Sequence, residues 1–230
     1  MVSNALIKFE NVFKSYQGDQ VLENVDFEID SGEFVFLIGP SGAGKSTIIK
    51  LLNKEESPSA GKIYIDGIDL ATIPYEEMHT IRRKIGVIFQ DFRVIKSRNV
   101  FENVSISLEV VGAKESLIHE VVPNILSMVG LQHKIYKNPS ELSGGEIQRL
   151  AIARALAHEP DIIVADEPTG MIDPKASGEI MNLLLEINKM GTTVLMATHD
   201  YNIVNHLKKR VIKISDGKVT SDKKGGTYHE

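Results

Sequence analysis

Cysteine is absent from the 230-residue sequence, and no long hydrophobic run is present. Without cysteine the chain can form no disulfide and no thiolate metal site, which suits the reducing cytosol. Its apolar runs fall short of the roughly 20 residues that a membrane-spanning helix needs. The first residues, MVSNALIKFE, lack the basic start and apolar stretch of a secretory signal, so we expect none. Any role at a membrane is therefore expected to run through a partner protein.

Positive charge is not in excess either. The 26 lysines and arginines are outnumbered by 31 aspartates and glutamates, and the net charge of −5 argues against nucleic-acid binding. Apolar residues make up 42% and charged residues 25%, which are ordinary values for a globular protein. We expect one domain over residues 1–220, followed by a polar, frayed tail over residues 221–230.

Two kinds of apolar pattern predict two kinds of strand. LIKFENV and VLENVDFEI alternate apolar and polar residues, and the Gly-Asp turn between them predicts an antiparallel pair. FVFLI, DIIVAD and TVLMAT are continuous apolar runs, typical of a parallel sheet that is covered on both faces. Because helical patterns lie between these runs, the sequence predicts an α/β fold with a doubly wound, mainly parallel sheet and an antiparallel β subdomain.

The stretch from about residue 99 to residue 157 differs, because it is mostly helical. In SLIHEVVPNILSMVG the apolar residues recur at helical spacing, and Pro123 predicts a kink or a break in that helix. We interpret this stretch as a helical subdomain inserted into the sheet domain.

A glycine-rich loop, GPSGAGKST, follows the run FVFLI. Gly39, Gly44, Lys45 and Ser46 match the pattern G-x-x-x-x-G-K-[ST], in which backbone N–H groups and a helix N-terminus surround phosphates. Lys45 would reach the outer phosphates, and the Ser46 hydroxyl would bind Mg²⁺. A flexible turn is the alternative, but the strand before the loop and the helical TIIKLL after it favour phosphate binding.

Two acidic residues come at the end of the predicted strand IIVAD. Asp166 can hold Mg²⁺, directly or through water, and Glu167 can polarise an attacking water. Alone, the pair would indicate only a polar turn after a strand. Together with a phosphate loop on another strand of the same sheet, it predicts a metal site.

A third motif, LSGGE, precedes a helical pattern. Ser143 and Glu146 form a capping box, so the motif could serve only to start a helix. Gly144 and Gly145 in the first turn, however, leave bare N–H groups that can bind an anion.

GPSGAGKST, LSGGE and DEPTG in this order resemble the ATP-binding cassette (ABC) ATPases, and the resemblance covers nearly the whole chain. It implies a RecA-like nucleotide-binding domain that hydrolyses ATP with Mg²⁺ as a head-to-tail homodimer. In that dimer the phosphate loop of one subunit would face Ser143, Gly144 and Gly145 of the other. The loop residues that would bind the nucleotide are Gly39, Pro40, Ser41, Gly42, Ala43, Gly44, Lys45, Ser46 and Thr47.

The resemblance also implies roles for four residues outside these motif cores. Tyr16 would stack on adenine, with a sheet-surface tyrosine as the alternative, and Gln90 would sense Mg²⁺ and the attacking water. His199 would contact the γ-phosphate, and Asp173 matches the D-loop aspartate. The implied metal ligands are Ser46, Gln90 and Asp166.

Other nucleotide-binding classes fit less well. A GTPase would carry Asn-Lys-x-Asp, and both NKEE and NKMG lack the aspartate. DNA-maintenance ABC ATPases insert long coiled coils between the phosphate loop and the signature, whereas no sustained heptads occur between Ile48 and Glu141.

Within the family, FQDFR, which contains Gln90, and DEPTG followed by an aspartate resemble a cell-division branch. Branches that extract lipoproteins or drive macrolide-type efflux share much of this pattern and are the alternatives. The cell-division branch implies an integral membrane partner, regulation of peptidoglycan hydrolases, and a peripheral position at the cytoplasmic face of the bacterial membrane, at the division site.

The segment after Gln90 is the candidate docking site for that partner. Phe92, Val94 and Ile95 are apolar residues set among charges, beside a nucleotide sensor. We expect them to anchor a short helix of the membrane subunit, with a basic rim around them. The alternative is that Phe92 and Ile95 pack under the helical subdomain.

Overall fold

The computed structural model describes residues 5–228, apart from the side chain of Tyr75. In this range the strands are β1 Ala5–Tyr16, β2 Asp19–Asp30, β3 Phe34–Ile38, β4 Ala60–Ile65, β5 Ile68–Asp69, β6 Ile85–Ile88, β7 Ile162–Asp166, β8 Thr193–Ala197, β9 Arg210–Ser215 and β10 Lys218–Lys223. The α-helices of the same range are α1 Lys45–Leu52, α2 Met78–Arg82, α3 Val100–Glu109, α4 Glu115–Met128, α5 Gly144–Leu156, α6 Pro174–Lys189 and α7 Tyr201–Leu207.

The larger sheet has the strand order β10-β9-β3-β8-β7-β6. All neighbours in it are parallel except β9 and β10, which are antiparallel at one edge. The smaller sheet, β2-β1-β4-β5, is antiparallel. The predicted fold class is therefore confirmed, since a mainly parallel sheet, an antiparallel sheet and a group of helices are all present.

The hairpin between β1 and β2 turns through Gln17 and Gly18, which have φ values of 51° and 98°. Two successive positive φ values are the geometry of the tight turns that match the twist of antiparallel strands. Tyr16 pairs with Asp19 directly across this turn. The antiparallel pairing predicted from the alternating pattern is confirmed.

Helices α3, α4 and α5 lie in the stretch that was predicted to be helical. Helix α4 continues through Pro123 and is not split there. The proline removes one backbone hydrogen bond, but Ile118, Val122 and Ile125 around it are buried in a common core, which holds the helix together. Within residues 5–228, none of the helices is both long and apolar enough to cross a bilayer.

The larger sheet separates two hydrophobic cores. Along β3, Phe34, Phe36 and Ile38 pack into the core shared with α3 to α7. Val35 and Leu37, which alternate with them, pack into the core shared with α1 and the smaller sheet. Because both faces of this strand are covered, its sequence is a continuous apolar run.

Four of the predicted site segments lie at the carboxyl ends of strands in the larger sheet. The phosphate loop follows β3, Asp166 ends β7, His199 follows β8, and Gln90 follows β6. These four strands are neighbours in the sheet and are parallel, so their carboxyl ends meet at one edge. In open α/β sheets this edge is where ligands bind.

Candidate functional site

The phosphate loop connects β3 to α1 and depends on glycine at two positions. Gly44, which precedes α1, has a φ of 106°, and a Cβ built there would lie 2.5 Å from Leu22 Cδ2. A Cβ on Gly39 would lie 2.1 Å from the carbonyl oxygen of Ile214. A side chain at Gly39 would therefore collide with the backbone of β9, and at Gly44 the positive φ strains any residue other than glycine.

The side chain of Lys45 forms hydrogen bonds with the backbone of its own loop. Lys45 Nζ donates hydrogen bonds to the carbonyl oxygens of Gly39, at 2.7 Å, and Pro40, at 2.9 Å. Burial lowers the pKa of Lys45, while the nearby charges of Glu167 and Asp166 oppose that shift. The two carbonyls hold the ammonium in place without neutralising it, so the loop presents a positive charge.

Asp166 is half-buried at the end of β7 and faces the start of α1. Burial raises the pKa of Asp166, and a hydrogen bond from the Ser46 hydroxyl works in the opposite direction. Gln90 lines the same cavity as these two residues. A carboxylate, a hydroxyl and a side-chain amide oxygen around one cavity are the ligand type that Mg²⁺ prefers, so the residues fit this ion.

The side chains of Glu167 and His199 are in contact between the ends of β7 and β8. His199 Nδ1 lies 2.7 Å from Glu167 Oε1, and the backbone N–H of His199 donates to Glu167 Oε2 at 3.4 Å. The Glu167 side chain is 12% exposed, whereas the His199 side chain is 69% exposed. The carboxylate is thus held in a fixed orientation by an imidazole that reaches toward solvent.

These groups surround one cavity of about 640 Å³. From the predicted site the cavity is lined by Tyr16, Gly39, Pro40, Ser41, Gly42, Gly44, Lys45, Ser46, Thr47, Gln90, Asp166, Glu167 and His199. Ala43 does not line it, because its side chain is buried in the core beneath the loop. The backbone N–H groups of the loop and the Lys45 ammonium can bind the phosphates of a nucleoside triphosphate. The carboxylates of Asp166 and Glu167 can hold a metal ion and activate water.

The signature residues lie outside this cavity, at the start of α5. Ser143 Oγ accepts a hydrogen bond from the N–H of Glu146 at 3.4 Å, and the N–H of Ser143 donates to Glu146 Oε2 at 2.9 Å, which completes the predicted capping box. A hydrogen bond from Lys134 is the largest of the effects that lower the pKa of Glu146.

The two signature glycines differ in what surrounds them. A Cβ on Gly145 would lie 2.8 Å from the Cβ of Ala176, so close packing on α6 requires glycine there. A Cβ on Gly144 would only touch Ile172, at 3.5 Å, which is ordinary contact. Packing therefore does not explain why residue 144 is glycine. Without a side chain there, the N–H groups at the start of α5 are left accessible to an anion.

Asp173 also lies outside the cavity. Its Oδ1 accepts hydrogen bonds from the N–H groups of Lys175 and Ala176, both at 3.0 Å, so it caps α6. Within its own chain Asp173 has a structural role, and it does not line the cavity that the phosphate loop lines.

Sequence reasoning missed Val21 and Tyr228, which also line the cavity. The tail was expected to fray from residue 221, but β10 continues to Lys223 and pairs with β9. The N–H of Tyr228 donates to Asn205 Oδ1 on α7 at 2.8 Å. Burial first, and the charge of Glu167 second, raise the pKa of Tyr228. No pattern in the polar tail sequence predicts that Tyr228 lines the cavity.

Known proteins resemble this chain over nearly its full length. The profile of the ABC transporter family matches residues 22–170. The "Cell division ATP-binding protein FtsE" of Bacillus subtilis (strain 168) is 50% identical, with 97% of this chain and 98% of that protein covered. Its counterpart in Escherichia coli (strain K12) is 45% identical, with 98% and 100% covered.

A solved structure of similar fold is the dimeric ATP-binding cassette MJ0796 in a post-hydrolysis state, bound to ADP and Pi. It is 38% identical and superposes with a TM-score of 0.86, covering 96% of this chain and 99% of that chain.

Proposed function

The chain belongs to the ABC transporter family and, within it, to the FtsE group, and on that premise we propose how it works as the ATP-hydrolysing subunit of a membrane complex in cell division. One observation carries the proposal: a single cavity joins the phosphate loop, Asp166 and the Glu167–His199 pair. The cell-division name of the relatives favours this role over lipoprotein extraction or macrolide efflux.

ATP is proposed to bind with its phosphates on the loop and its base beside Tyr16. Lys45 would exchange its two carbonyl partners for phosphate oxygens, which are stronger acceptors because they are charged. Ser46, Asp166 and Gln90 would hold Mg²⁺. When bound, this ion supplies positive charge against the β- and γ-phosphates.

Glu167 and His199 are proposed to act on the attacking water. The Glu167 carboxylate accepts a hydrogen bond from the water and turns its lone pair toward the γ-phosphate. His199 holds that carboxylate through Nδ1 and remains exposed enough to reach the same phosphate.

Chelation of Mg²⁺ tests the proposed metal site. We expect EDTA to abolish phosphate release by the full chain with its membrane partner, and excess Mg²⁺ to restore it. The reason is that the ion would offset the negative charge of the phosphates, and the half-buried Asp166 carboxylate, the Ser46 hydroxyl and Gln90 surround one cavity that can hold it. Hydrolysis that continues at the same rate in EDTA would contradict the assignment of Ser46, Gln90 and Asp166.

Two copies of the chain are proposed to complete each site. Ser143, Gly144 and Asp173 lie outside the cavity of their own chain, and Gly144 has no packing reason to be glycine. In a head-to-tail dimer the N-terminus of α5 would approach the γ-phosphate held by the other chain and stabilise its negative charge.

The membrane partner is proposed to be an FtsX-like subunit that docks in a groove between α2 and α3. This groove, of about 560 Å³, combines the apolar residues Ile95, Ile106, Val110 and Val111 with Arg82, Arg83 and Arg154. Of the three predicted anchors only Ile95 lines it: Val94 packs against the core, and Phe92 is half-buried.

Docking here would connect ATP binding to the partner. The segment after Gln90 is held by Asn103, whose Oδ1 accepts from the N–H of Ile95 at 2.8 Å, and whose Nδ2 donates to the carbonyls of Ile95 and Arg98. A shift of Gln90 would therefore move the groove wall. We propose that the chain acts as a peripheral subunit at the cytoplasmic face of the bacterial membrane, at the division site, and that its motion regulates peptidoglycan hydrolases through the partner.

A further inference from the structure

Lys14, near the end of β1, carries a buried positive charge that no motif explains. Its side chain is 10% exposed. The ammonium donates hydrogen bonds to Glu56 Oε2 and to the carbonyl oxygen of Ser57, both at 2.8 Å. A buried charge is tolerated when it is paired and hydrogen-bonded, and both conditions hold here.

The same ammonium lies over the ring of Tyr16, 4.7 Å from its centroid, within the range of a cation–π interaction. Tyr16 lines the nucleotide cavity, whereas Lys14 is not among the residues that line it. Glu56 and Ser57, which accept the hydrogen bonds of the ammonium, do not line the cavity either, and from this we infer that the cation lies against the ring face turned away from it.

The partners of Lys14 follow the phosphate-binding helix. The N–H groups of Glu55 and Glu56 donate to the carbonyl oxygen of Lys50 in α1, at 2.9 and 3.3 Å. The turn that holds Lys14 is thus attached to the helix that begins at Lys45. Lys14 connects the ring of Tyr16, in the antiparallel sheet, to the element that carries the phosphate loop.

We propose that Lys14 is a positioning residue for the nucleotide base. This rests on the proposed stacking of adenine on Tyr16. The face of an aromatic ring carries negative potential, so two stacked rings repel when their faces overlap fully. A cation on the far face of Tyr16 reduces the negative potential on the face toward the base. It also fixes the ring before the nucleotide arrives, so that less conformational entropy is lost on binding.

Lys14→Met tests the proposal, because methionine keeps most of the apolar stem and removes the charge. We expect the Kd of the full chain for ATP, measured by titration calorimetry, to rise about fivefold. The Kd for inorganic tripolyphosphate, which has no base, is expected to stay at the wild-type value. In steady-state hydrolysis the loss should appear in KM for ATP rather than in kcat.

Lys8→Met is the matched control, since Lys8 lies on the same strand and forms ion pairs with Glu10 and Glu28 outside the cavity. It should leave both affinities unchanged. Glu56→Ala is a second variant, which keeps Lys14 but removes one of its hydrogen-bond partners. We expect it to lower the affinity for ATP less than Lys14→Met does.

Two results would overturn the proposal: wild-type ATP affinity in Lys14→Met, or equal weakening of ATP and tripolyphosphate. Tyr16→Ala separates this outcome from a failure of the proposed base site. If Tyr16→Ala weakens ATP binding and Lys14→Met does not, only the role of Lys14 fails. If Tyr16→Ala binds ATP as well as the wild type, the base does not stack there at all.

Discussion

Glu167 has a left-handed backbone conformation, with a φ of 48°, at the point where β7 ends. A residue other than glycine in this region carries strain of about 1 kcal/mol or more, and such residues persist where the surrounding structure holds them. Here the N–H of Glu167 donates to the carbonyl oxygen of Ala197 at 3.0 Å. The turn directs the carboxylate out of the sheet edge and toward His199.

We predict that Glu167→Gln binds ATP normally and loses most of its hydrolysis, with kcat lowered by about 10²–10⁴-fold. Glutamine keeps the shape of the side chain but is a poor proton acceptor. Phosphate release and ATP binding, measured in the presence of the membrane partner, check this, and the mutant should accumulate as an ATP-bound dimer.

Glu159→Gln is a matched control for that substitution. Glu159 has the same left-handed backbone, with a φ of 52°, and is exposed outside the nucleotide cavity. It should hydrolyse ATP like the wild type. If Glu167→Gln also hydrolyses ATP at close to the wild-type rate, Glu167 does not orient the water.

At the scale of elements, the buried strands were the most predictable part of the fold. FVFLI, DIIVAD and TVLMAT correspond to β3, β7 and β8, because burial on both faces leaves no room for polar residues. Strand β10 was missed for the opposite reason: it is an edge strand whose residues are all exposed or only partly buried, so its sequence has no apolar pattern.

The sequence also indicated which strands carry the acids and the phosphate loop, but not how the strands are ordered. The contact between Glu167 and His199 depends on β7 and β8 being neighbours, which only the fold establishes. Asn103 was missed as well, although it is fully buried and holds the docking segment, because a single asparagine in a helix matches no motif.

The groove between α2 and α3 yields a prediction at this scale. Val110→Glu should abolish binding of the membrane subunit, because it places a charge on an apolar wall, while the chain stays folded and binds ATP. Val110 is 79% exposed, so the substitution disturbs no core. Co-purification of the two subunits measures the effect.

Leu117→Glu is the control, since Leu117 is a 45% exposed apolar residue on α4 that does not line the groove. It should co-purify with the partner as the wild type does. Normal co-purification of a folded Val110→Glu chain would place the partner elsewhere.

At the scale of the whole molecule, one chain holds only part of the predicted site. The phosphate loop, Asp166, Glu167, Gln90 and His199 meet in one cavity, whereas Ser143, Gly144, Gly145 and Asp173 do not. No pattern within one sequence specifies which copy supplies which group. The resemblance to known dimers, and not the residue pattern, led to the head-to-tail hypothesis.

The central claim is that two copies build each ATP site, and complementation tests it most directly. Lys45→Ala removes the cation from the phosphate loop, and Ser143→Arg fills the N-terminus of α5 with a bulky side chain. Each variant alone should be inactive, because both sites of its dimer are damaged. A mixed dimer keeps one intact site, made of Lys45 from one chain and Ser143 from the other.

The measurement is ATPase activity of an equal mixture of the two variants, carrying different affinity tags, with the membrane partner present. We expect the mixture to recover up to roughly a quarter of wild-type activity, since half of the dimers are mixed and each has one working site. Mixed dimers that are isolated through both tags and show no activity would contradict the shared site.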